Sequence, residues 1–326
     1  MEKTMKKALL TTLMSACLAV AAGTAQADDV NWPTRPVQVI VPAAAGGDTD
    51  FNARTMAKYF TQITGKSMVI TNMAGGGGTV AASQVKESAA DGNTLLFAHT
   101  GTLVVNEVSG LLDYGYDAFD IACIPGVDKG AVFVSGDASG IKTLDDLMTK
   151  AKAKPGSVVY GTELGGFSHL QGLIFEKLAG VDLKIVDSGS AAEKITALLG
   201  GRIDMGAISY GAVQDYAKTG DMHILAQPND EPNPLLGDVK TFKQQGVDMV
   251  VDKPYLIAFP KGTDPAIVKK MSDIMKQITE MPAYAKDLEQ GFKQPVSFYP
   301  TEEAKAVLQK TREDYMQYKD LLRQAK

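Results

Sequence analysis

Short apolar runs alternate along most of the chain with segments in which apolar residues recur at helical spacing. The run 37–41 leads through a glycine-rich loop into residues 51–63, where the spacing of apolar residues is mostly helical up to Gly65. The runs 67–71 and 94–98 repeat the strand pattern. Apolar periodicity of this kind predicts strands and helices that follow one another closely.

The middle of the chain shows the same alternation more strictly. Strand-like runs at 157–161, 183–186, 203–208 and 222–226 alternate with helical segments at 168–178, 191–199 and 211–218. A capping box beginning at Thr143 predicts one more helix before them. Alternation with short loops predicts an α/β fold with a parallel, doubly wound sheet, in which ligands bind beyond the carboxyl ends of the strands.

Two further apolar segments predict crossings between two lobes. The stretch 121–134 is broken by Pro125 and Gly126, and the run 255–259 ends in a turn. We therefore predict that residues 28–126 form the first part of lobe 1, 127–254 form lobe 2, and 255–326 return to lobe 1 with helices at 265–281 and 301–323. Two crossings imply a two-stranded hinge with a cleft between the lobes.

The first residues predict an export signal. Lysines at positions 3, 6 and 7 precede an apolar run, residues 8–22, and Ala25-Gln26-Ala27 fits the pattern that a signal peptidase cuts. Residues 1–27 are therefore predicted to be a cleaved signal peptide. The product is expected in the periplasm, since no later segment is long and apolar enough to span a bilayer.

Charge and cysteine content exclude some partners and an internal disulfide for the mature protein. Removing residues 1–27 takes away three lysines and one glutamate, so the net charge of −5 becomes −7. A basic stripe is what nucleic acid or anionic lipid would require, so we expect neither as a partner. Only Cys123 remains after cleavage, which excludes an intramolecular disulfide. We expect a monomer.

Glycine-rich loops at strand ends supply the candidate binding residues. Such loops present unpaired N–H groups and the positive end of a helix dipole, which suit a small anion, above all a carboxylate. Hydroxyl groups near strand ends could add contacts. The candidates are Ala44, Gly46, Gly47, Asp48, Thr49, Asp50, Gly75, Gly76, Gly77, Thr79, Thr100, Thr102, Thr162, Glu163, Gly166, Phe167, Ser168, Ser188 and Ser209.

Each candidate also has a purely structural interpretation. The glycines of both early loops could serve only turns with positive φ. Asp48 could be an ordinary N-cap, in which case it accepts a backbone N–H, and Thr49 could cap in its place. Four consecutive glycines, 75–78, have an entropic cost that a simple connector rarely needs, which favours close backbone approach.

The sequence shows none of the common catalytic motifs. It lacks a G-x-S-x-G elbow, an H-E-x-x-H pair and a G-x-G-x-x-G after a strand. His99, His169 and His223 show no metal-ligand spacing. The sequence predicts a binding protein without cofactor, metal or catalytic residues.

The segment Trp32-Pro33-Thr34-Arg35-Pro36, followed by a strand and a P-x-A-x-G-G-x-T-D loop, resembles the mature N-terminus of the Bug proteins. These are the substrate-binding components of tripartite tricarboxylate transporters. Residues 89–96, 178–183, 198–204 and 259–265 match further family segments in the expected order. The resemblance covers essentially the whole mature chain.

The resemblance implies a two-lobed periplasmic binding protein fold, type II-like, with a doubly wound sheet in each lobe and a ligand cleft between them. It implies that loops 43–50 and 74–79 hold a carboxylate through backbone amides and ordered water, and that residues 162–168 approach from the other lobe. It also implies membrane permease subunits as partners and closure of the cleft by a hinge motion.

Some positions depart from the family pattern. Asp187-Ser188-Gly189-Ser190 stands where a Pro-Tyr-Lys-Gly-like turn is common, and an apolar residue replaces an aspartate near Ile208. Asp48 and Glu163 place acids in loops usually lined by Gly, Ser or Thr. These departures predict a ligand with one or two carboxylates in preference to a free tricarboxylate. A ligand-sensing component for a membrane sensor kinase and an exported enzyme are the alternatives.

Overall fold

Two β-sheets, each flanked by helices, make up the part of the chain that the computed structural model describes, residues 30–324. Both sheets belong to one compact unit, Trp32–Lys326. The predicted signal peptide, residues 1–27, lies outside the described residues. The α/β fold with two sheets confirms the predicted class.

The first sheet has seven strands and forms lobe 1. Its strands are β1 (Val37–Val41), β2 (Met68–Asn72), β3 (Thr94–His99), β4 (Phe119–Ile124), β5 (Val127–Asp128), β11 (Lys253–Pro260) and β12 (Tyr299–Pro300). The order is β12-β4-β11-β3-β1-β2, and β5 pairs with β11. Strand β1 runs parallel to β2 and β3, whereas β11 runs antiparallel to β3 and β4.

The second sheet has five strands and forms lobe 2. Its strands are β6 (Ala131–Gly136), β7 (Val159–Thr162), β8 (Lys184–Asp187), β9 (Met205–Ser209) and β10 (Met222–Ala226), in the order β10-β6-β9-β7-β8. Strand β7 is parallel to β8 and β9, but β6 is antiparallel to β9 and β10. The four strands of the predicted alternation, β7 to β10, thus run in one direction, and the antiparallel strand is β6, which begins within the stretch 121–134 that the sequence predicts only as a crossing. The chain enters lobe 2 along β6 and not through a crossover helix, and apolar periodicity does not encode strand direction.

The helices follow the predicted alternation. Within the described range they are α1 (Asp48–Thr64), α2 (Thr79–Lys86), α3 (Asn106–Ser109), α4 (Leu144–Ala153), α5 (Phe167–Ala179), α6 (Ala191–Leu199), α7 (Tyr210–Thr219), α8 (Pro265–Thr279), α9 (Pro282–Phe292), α10 (Thr301–Met316) and α11 (Lys319–Gln324). None of them is both long and apolar enough to cross a bilayer.

Local sequence signals explain several helix ends. Helix α1 stops at Gly65, which adopts the left-handed conformation and donates its N–H to the Thr61 carbonyl. Thr143 and Asp146 form the predicted capping box at the start of α4. The predicted helix 301–323 is divided into α10 and α11, and the sequence analysis missed α9, which begins at Pro282.

Aromatic residues fill the core of both lobes. In lobe 1, Trp32 packs edge-on against Phe60 and Phe259, and its indole N–H donates to the Gly92 carbonyl at 2.9 Å. In lobe 2, the Phe133 ring packs on Phe242 with centroids 4.9 Å apart. Full burial of a side chain such as Phe contributes about 1.5–3 kcal/mol, so these clusters stabilise each lobe.

The chain passes twice between the two sheets. The chain leaves the first sheet after β5 and enters the second at β6, and it returns through residues 227–252 to β11. At this connection, Lys253 and Pro254 of β11 pair antiparallel with Asp128 and Val127 of β5. Both ends of the predicted lobe 2, 127–254, therefore pair within the sheet of lobe 1, and we propose these paired segments as the hinge.

Candidate ligand-binding site

A cavity of about 270 Å³ lies between the lobes, at the carboxyl ends of the strands. From lobe 1 it is lined by residues 42–49, Ala74, Gly75, Gly77, His99, Gly101, Thr102 and Lys253. From lobe 2 it is lined by Ala131, Glu163, residues 166–168, Gln171, residues 190–192, Lys194, Ile195, residues 207–209 and Ala212.

The parallel pairing of β1 with β2 places their loops side by side. Val41 is the register partner of Asn72, so both strands end at the same edge of the sheet. The first loop is braced by Asp50, whose carboxylate accepts the Gly46 N–H at 2.9 Å, the Arg54 side chain at 2.9 Å and the Asn72 amide at 2.9 Å. Asp50 therefore stabilises the loop from the side that faces away from the cavity, and it is not a lining residue.

The second loop requires its glycines. Gly75 to Gly78 all have positive φ, between 56° and 125°, a region that residues with a Cβ rarely adopt. A Cβ on Gly78 would lie 2.9 Å from the Pro42 Cβ. The Gly77 carbonyl accepts the Asn106 side-chain amide at 2.8 Å. The loop is thus fixed by backbone conformation and close packing, as expected for close backbone approach.

Three helices direct their N-termini at the cavity without a side-chain cap. Gly47 is the N-cap of α1, Gly166 that of α5 and Ser209 that of α7, and all three line the cavity. Asp48 is the first residue of α1 and not its cap, so the capping interpretation of Asp48 was wrong. The first N–H groups of a helix have no intrahelical partner, and the helix dipole is positive there. The positive ends of three helix dipoles therefore lie at the cavity.

Asp48 belongs to a buried ionic cluster at the hinge side of the cavity. The Lys253 ammonium lies 2.7 Å from Asp48 Oδ2 and 2.6 Å from Asp128 Oδ2. The Tyr255 hydroxyl donates to Asp48 at 2.6 Å. Asp128 also accepts the Gly130 N–H at 2.8 Å. The negative charge of Asp48 is thus largely compensated inside the protein.

The environment shifts the protonation of this cluster. Burial disfavours the charged Asp48, but Lys253 and the Tyr255 hydrogen bond outweigh it and lower the pKa of the carboxyl. Burial likewise opposes the charge of Lys253, while Asp128 and Asp48 raise its pKa. Asp48 and Lys253 therefore both remain charged at neutral pH.

His99 lines the cavity at the end of β3. Burial, together with the charge of Lys253, lowers the pKa of His99 to about 3, so its ring is neutral at pH 7. Its Nδ1 accepts the Gly101 N–H at 3.0 Å, which places the ring proton on Nε2. Within residues 30–324, no group of three or more His, Cys, Asp or Glu side chains could hold a metal ion.

Lys194 and Gln171 line the lobe 2 wall. Lys194, on α6, is 6% exposed and donates from Nζ to the Ala207 carbonyl at 3.1 Å. Burial lowers the pKa of Lys194 to about 8, with Glu163 opposing the shift. Gln171, on α5, is 3% exposed, and its amide nitrogen has no hydrogen-bond partner in the described structure.

The lobes touch across the cavity. Glu163 of lobe 2 accepts the Gly77 N–H of lobe 1 at 3.2 Å. The Phe167 ring meets the His99 ring edge to face, with centroids 5.6 Å apart. The loop between β7 and α5 therefore approaches the glycine loop of the opposite lobe.

The structure brings most of the predicted site residues together. The cavity is lined by Ala44, Gly46, Gly47, Asp48, Thr49, Gly75, Gly77, Thr102, Glu163, Gly166, Phe167, Ser168 and Ser209. It is not lined by Asp50, Gly76, Thr79, Thr100, Thr162 or Ser188.

The structure explains why three of these six residues do not line the cavity. Thr162 is buried and its hydroxyl pairs with that of Ser168 at 2.7 Å. Thr100 is fully buried. Ser188 and Asp187 line a neighbouring groove on lobe 2, so Asp187 does not add its charge to the cavity.

Five polar residues of the site were not predicted from the sequence. Four of them line the cavity, namely His99, Gln171, Lys194 and Lys253, and the fifth, Asp128, pairs with Lys253. His99 follows an apolar strand directly before the predicted Thr100 and Thr102, and this position could have identified it. Lys194 lies within an amphipathic helix, where a lysine usually faces solvent. The partners of Lys253 are 125 and 205 positions away in sequence, beyond the reach of any local pattern.

The fold and the cleft define a two-lobed solute-binding protein, and comparison with known proteins agrees. The sequence profile of the tripartite tricarboxylate transporter family receptor matches residues 52–320. A protein named for the gbd 5' region of Cupriavidus necator is 32% identical over 283 residues, covering 84% of each chain. BugT of Bordetella pertussis is 30% identical, covering 73% of this chain and 74% of its own.

Solved structures show the same fold. The periplasmic binding protein BugD has a TM-score of 0.78 at 25% identity, covering 90% of this chain and 98% of its own. An R. palustris protein with adipate has a TM-score of 0.80 at 23% identity, with coverages of 90% and 98%. MatC from Rhodopseudomonas palustris with bound malate has a TM-score of 0.77 at 23% identity, with coverages of 89% and 100%.

The chain belongs to the Bug-type receptor family of the tripartite tricarboxylate transporters, a family of solute-binding proteins. This confirms the resemblance seen in the sequence. The family and the similar structures are binding proteins and not enzymes.

Proposed function

We propose that this protein is exported by a cleaved signal peptide, captures a small organic acid with one or two carboxylates in the periplasm, and delivers it as a monomer to the permease subunits of a tripartite transporter. The observation that supports this most directly is the meeting of three uncapped helix N-termini, at Gly47, Gly166 and Ser209, on one cavity. Uncapped termini favour anions through their dipoles and through N–H groups that have no intrahelical partner, although the first of these in α7, the Tyr210 N–H, already donates to the Gly130 carbonyl.

One carboxylate of the ligand binds the loops of lobe 1 in this proposal. Loops 42–49 and 74–77 meet because β1 and β2 are parallel neighbours. Asp50 and Asn106 brace these loops from outside the cavity. Preorganised N–H donors lose little conformational entropy when an anion binds, which favours affinity.

Charge limits the number of carboxylates. Asp48 is compensated by Lys253, which is itself flanked by Asp128. Among the described side chains that line the cavity, Lys194 is the one cation outside an ion pair, and Glu163 adds a negative charge. A like-charge contact at 4 Å costs about 4 kcal/mol at an effective dielectric of ~20, so a third carboxylate is disfavoured.

Two similar structures agree with this number of carboxylates. One contains adipate and the other malate, both of them dicarboxylates. The predicted mono- or dicarboxylate preference therefore remains our proposal for this chain.

Calorimetric titration of the mature protein tests the proposal. Mono-, di- and tricarboxylates would be titrated in the presence of a chelator, which removes cations that could neutralise a trianion. We expect a dissociation constant near or below about 10 μM for at least one mono- or dicarboxylate, with citrate at least about tenfold weaker. Absence of binding to every carboxylate would refute the receptor function, and tighter binding of citrate would refute the charge argument.

A further inference from the structure

Two buried nitrogen donors share the lobe 2 wall of the cavity, opposite the glycine loops. Lys194 extends from α6 and Gln171 from α5, and both line the cavity. Neither belongs to the loops that hold the first carboxylate.

The hydrogen-bonding capacity of these two groups is not exhausted by the protein. An ammonium has three donors, and that of Lys194 has one protein acceptor, the Ala207 carbonyl. The amide nitrogen of Gln171 has two donors and no acceptor within residues 30–324. Buried donors are normally satisfied, because an unsatisfied one costs about 1–3 kcal/mol.

The charge at this wall also lacks a direct carboxylate partner among the described residues, although Glu163 and Asp48 favour it from a distance. Lys194 makes no ion pair with any described residue, in contrast to Lys253, whose ammonium contacts two carboxylates. A buried charge without a partner is unfavourable in the free protein. A ligand that supplies an anionic acceptor here would satisfy both the charge and the donors.

We propose that Lys194 and Gln171 form a second subsite, which binds the distal carboxylate of a dicarboxylate whose first carboxylate lies on the glycine loops of lobe 1. This inference rests on the proposed function and specifies its ligand class. Lys194 is then the residue that makes the protein select dicarboxylates over monocarboxylates of the same length. Gln171 adds a neutral donor to the same oxygen atoms.

The test compares Lys194→Met with the wild type on matched acids. Methionine keeps an unbranched side chain and removes the charge. Succinate, glutarate and adipate would each be titrated beside butyrate, pentanoate and hexanoate, so that each pair shares its carbon number. We expect the preferred dicarboxylate to lose roughly 10- to 100-fold in affinity in Lys194→Met, whereas its matched monocarboxylate changes less than about threefold. Gln171→Leu should lower the same preference by a smaller factor.

Controls separate a binding role from a structural one. Lys152→Met removes an exposed lysine of the same lobe that does not line the cavity, and it should leave both affinities unchanged. Lys194→Gln, which retains a donor, serves if the methionine variant unfolds. An equal loss for both acids of a pair, or no loss, would overturn the subsite.

The affinities of the wild type for the matched acids distinguish failure of the proposed receptor function from failure of the second subsite. If the wild type binds no carboxylate at all, the proposed function fails and the subsite fails with it. If it binds carboxylates but prefers the monocarboxylate of each pair, only the subsite is refuted.

Discussion

Lys253 and Asp128 are register partners on the two strands that connect the lobes, and their side chains form a buried ion pair with Nζ 2.6 Å from Oδ2. The same ammonium reaches Asp48 at the start of α1 in lobe 1. Asp128 in turn accepts the hydroxyl of Ser209 from lobe 2 at 3.3 Å. The hinge, the first binding loop and the opposite lobe therefore share one network of charges.

Replacing Lys253 tests this network. Lys253→Met leaves Asp48 and Asp128 facing each other without their shared cation, and we expect a loss of about 3–5 kcal/mol in the free energy of unfolding. Adding Asp128→Asn should recover part of that loss, since the two residues are in contact. Chemical denaturation of the single and double variants measures both effects.

A surface ion pair provides the control. Lys58→Met breaks an exposed pair with Asp287 and should change stability little. Equal effects of the two lysine substitutions would contradict a special role for the buried cluster.

Gly47 gives a direct test of backbone anchoring. Its φ is −80°, and an added Cβ would meet only the Ala44 carbonyl at 3.7 Å, so Gly47→Val fits the backbone. The side chain would project beside the amides that we propose to hold the carboxylate. We expect affinity to fall at least about tenfold while the melting temperature stays within about 3 °C of the wild type.

Gly77→Val tests the second loop less cleanly. Gly77 has a φ of +64°, and a Cβ would approach Asn106 Oδ1 at 3.2 Å, so backbone strain accompanies the steric block. Affinity that survives Gly47→Val would exclude the first loop from the site.

The affinity for a dicarboxylate should depend on pH through Lys194. Burial lowers the pKa of Lys194 to about 8, with Glu163 and Asp48 opposing and Lys253 reinforcing the shift. The cationic form binds an anion, so affinity should be constant near neutral pH and fall above about pH 8, by at most about tenfold per pH unit. Lys194→Met should show no such fall, and an identical pH profile in wild type and variant would argue against this lysine.

Glu163 is expected to compete with the ligand. It accepts the Gly77 N–H, which we propose as one of the carboxylate donors, and it adds a negative charge. Glu163→Ala should therefore tighten carboxylate binding about 3- to 10-fold. The measurement belongs at about pH 6, well below the wild-type pKa of Lys194, because removing Glu163 lowers that pKa further.

Glu163→Gln separates the two effects of this carboxylate, because it keeps an acceptor and removes the charge. Weaker binding in Glu163→Ala would mean that Glu163 assists the ligand.

Lobe closure is a further expectation. Contacts such as Glu163 to Gly77 and Phe167 to His99 join the lobes across the cavity, and a bound ligand adds contacts to both sides. Small-angle scattering should show a smaller radius of gyration with saturating carboxylate than without it. Equal radii in both conditions would count against a closing cleft.

Local patterns were sufficient for most of the elements and for the glycine-rich loops. Gly46 and Gly47 stand between an apolar strand and a helix, and Thr143 begins a capping box, so both features follow from neighbours in sequence. The antiparallel placement of β6 was missed, because a buried strand has the same apolar pattern in either direction.

The charged part of the site could not be predicted in this way. The pairing of Lys253 with Asp48 and Asp128 depends on three segments that only the tertiary fold unites. Asp187 appeared equivalent to Asp48 in sequence, but its strand ends at a neighbouring groove. The cavity is therefore less acidic than the sequence predicts, because Asp187 lies at another groove and Asp48 is paired with Lys253.

Trp32, the single tryptophan of the chain, is packed in the lobe 1 core and is not among the residues that line the cavity. Its fluorescence consequently reports the packing of lobe 1, and we expect its emission to stay unchanged when a ligand binds in the cavity. An emission-based screen of the native protein would classify true ligands as inactive. A tryptophan introduced at Phe167, whose ring meets His99 of the opposite lobe, would place a light-emitting reporter where the lobes meet.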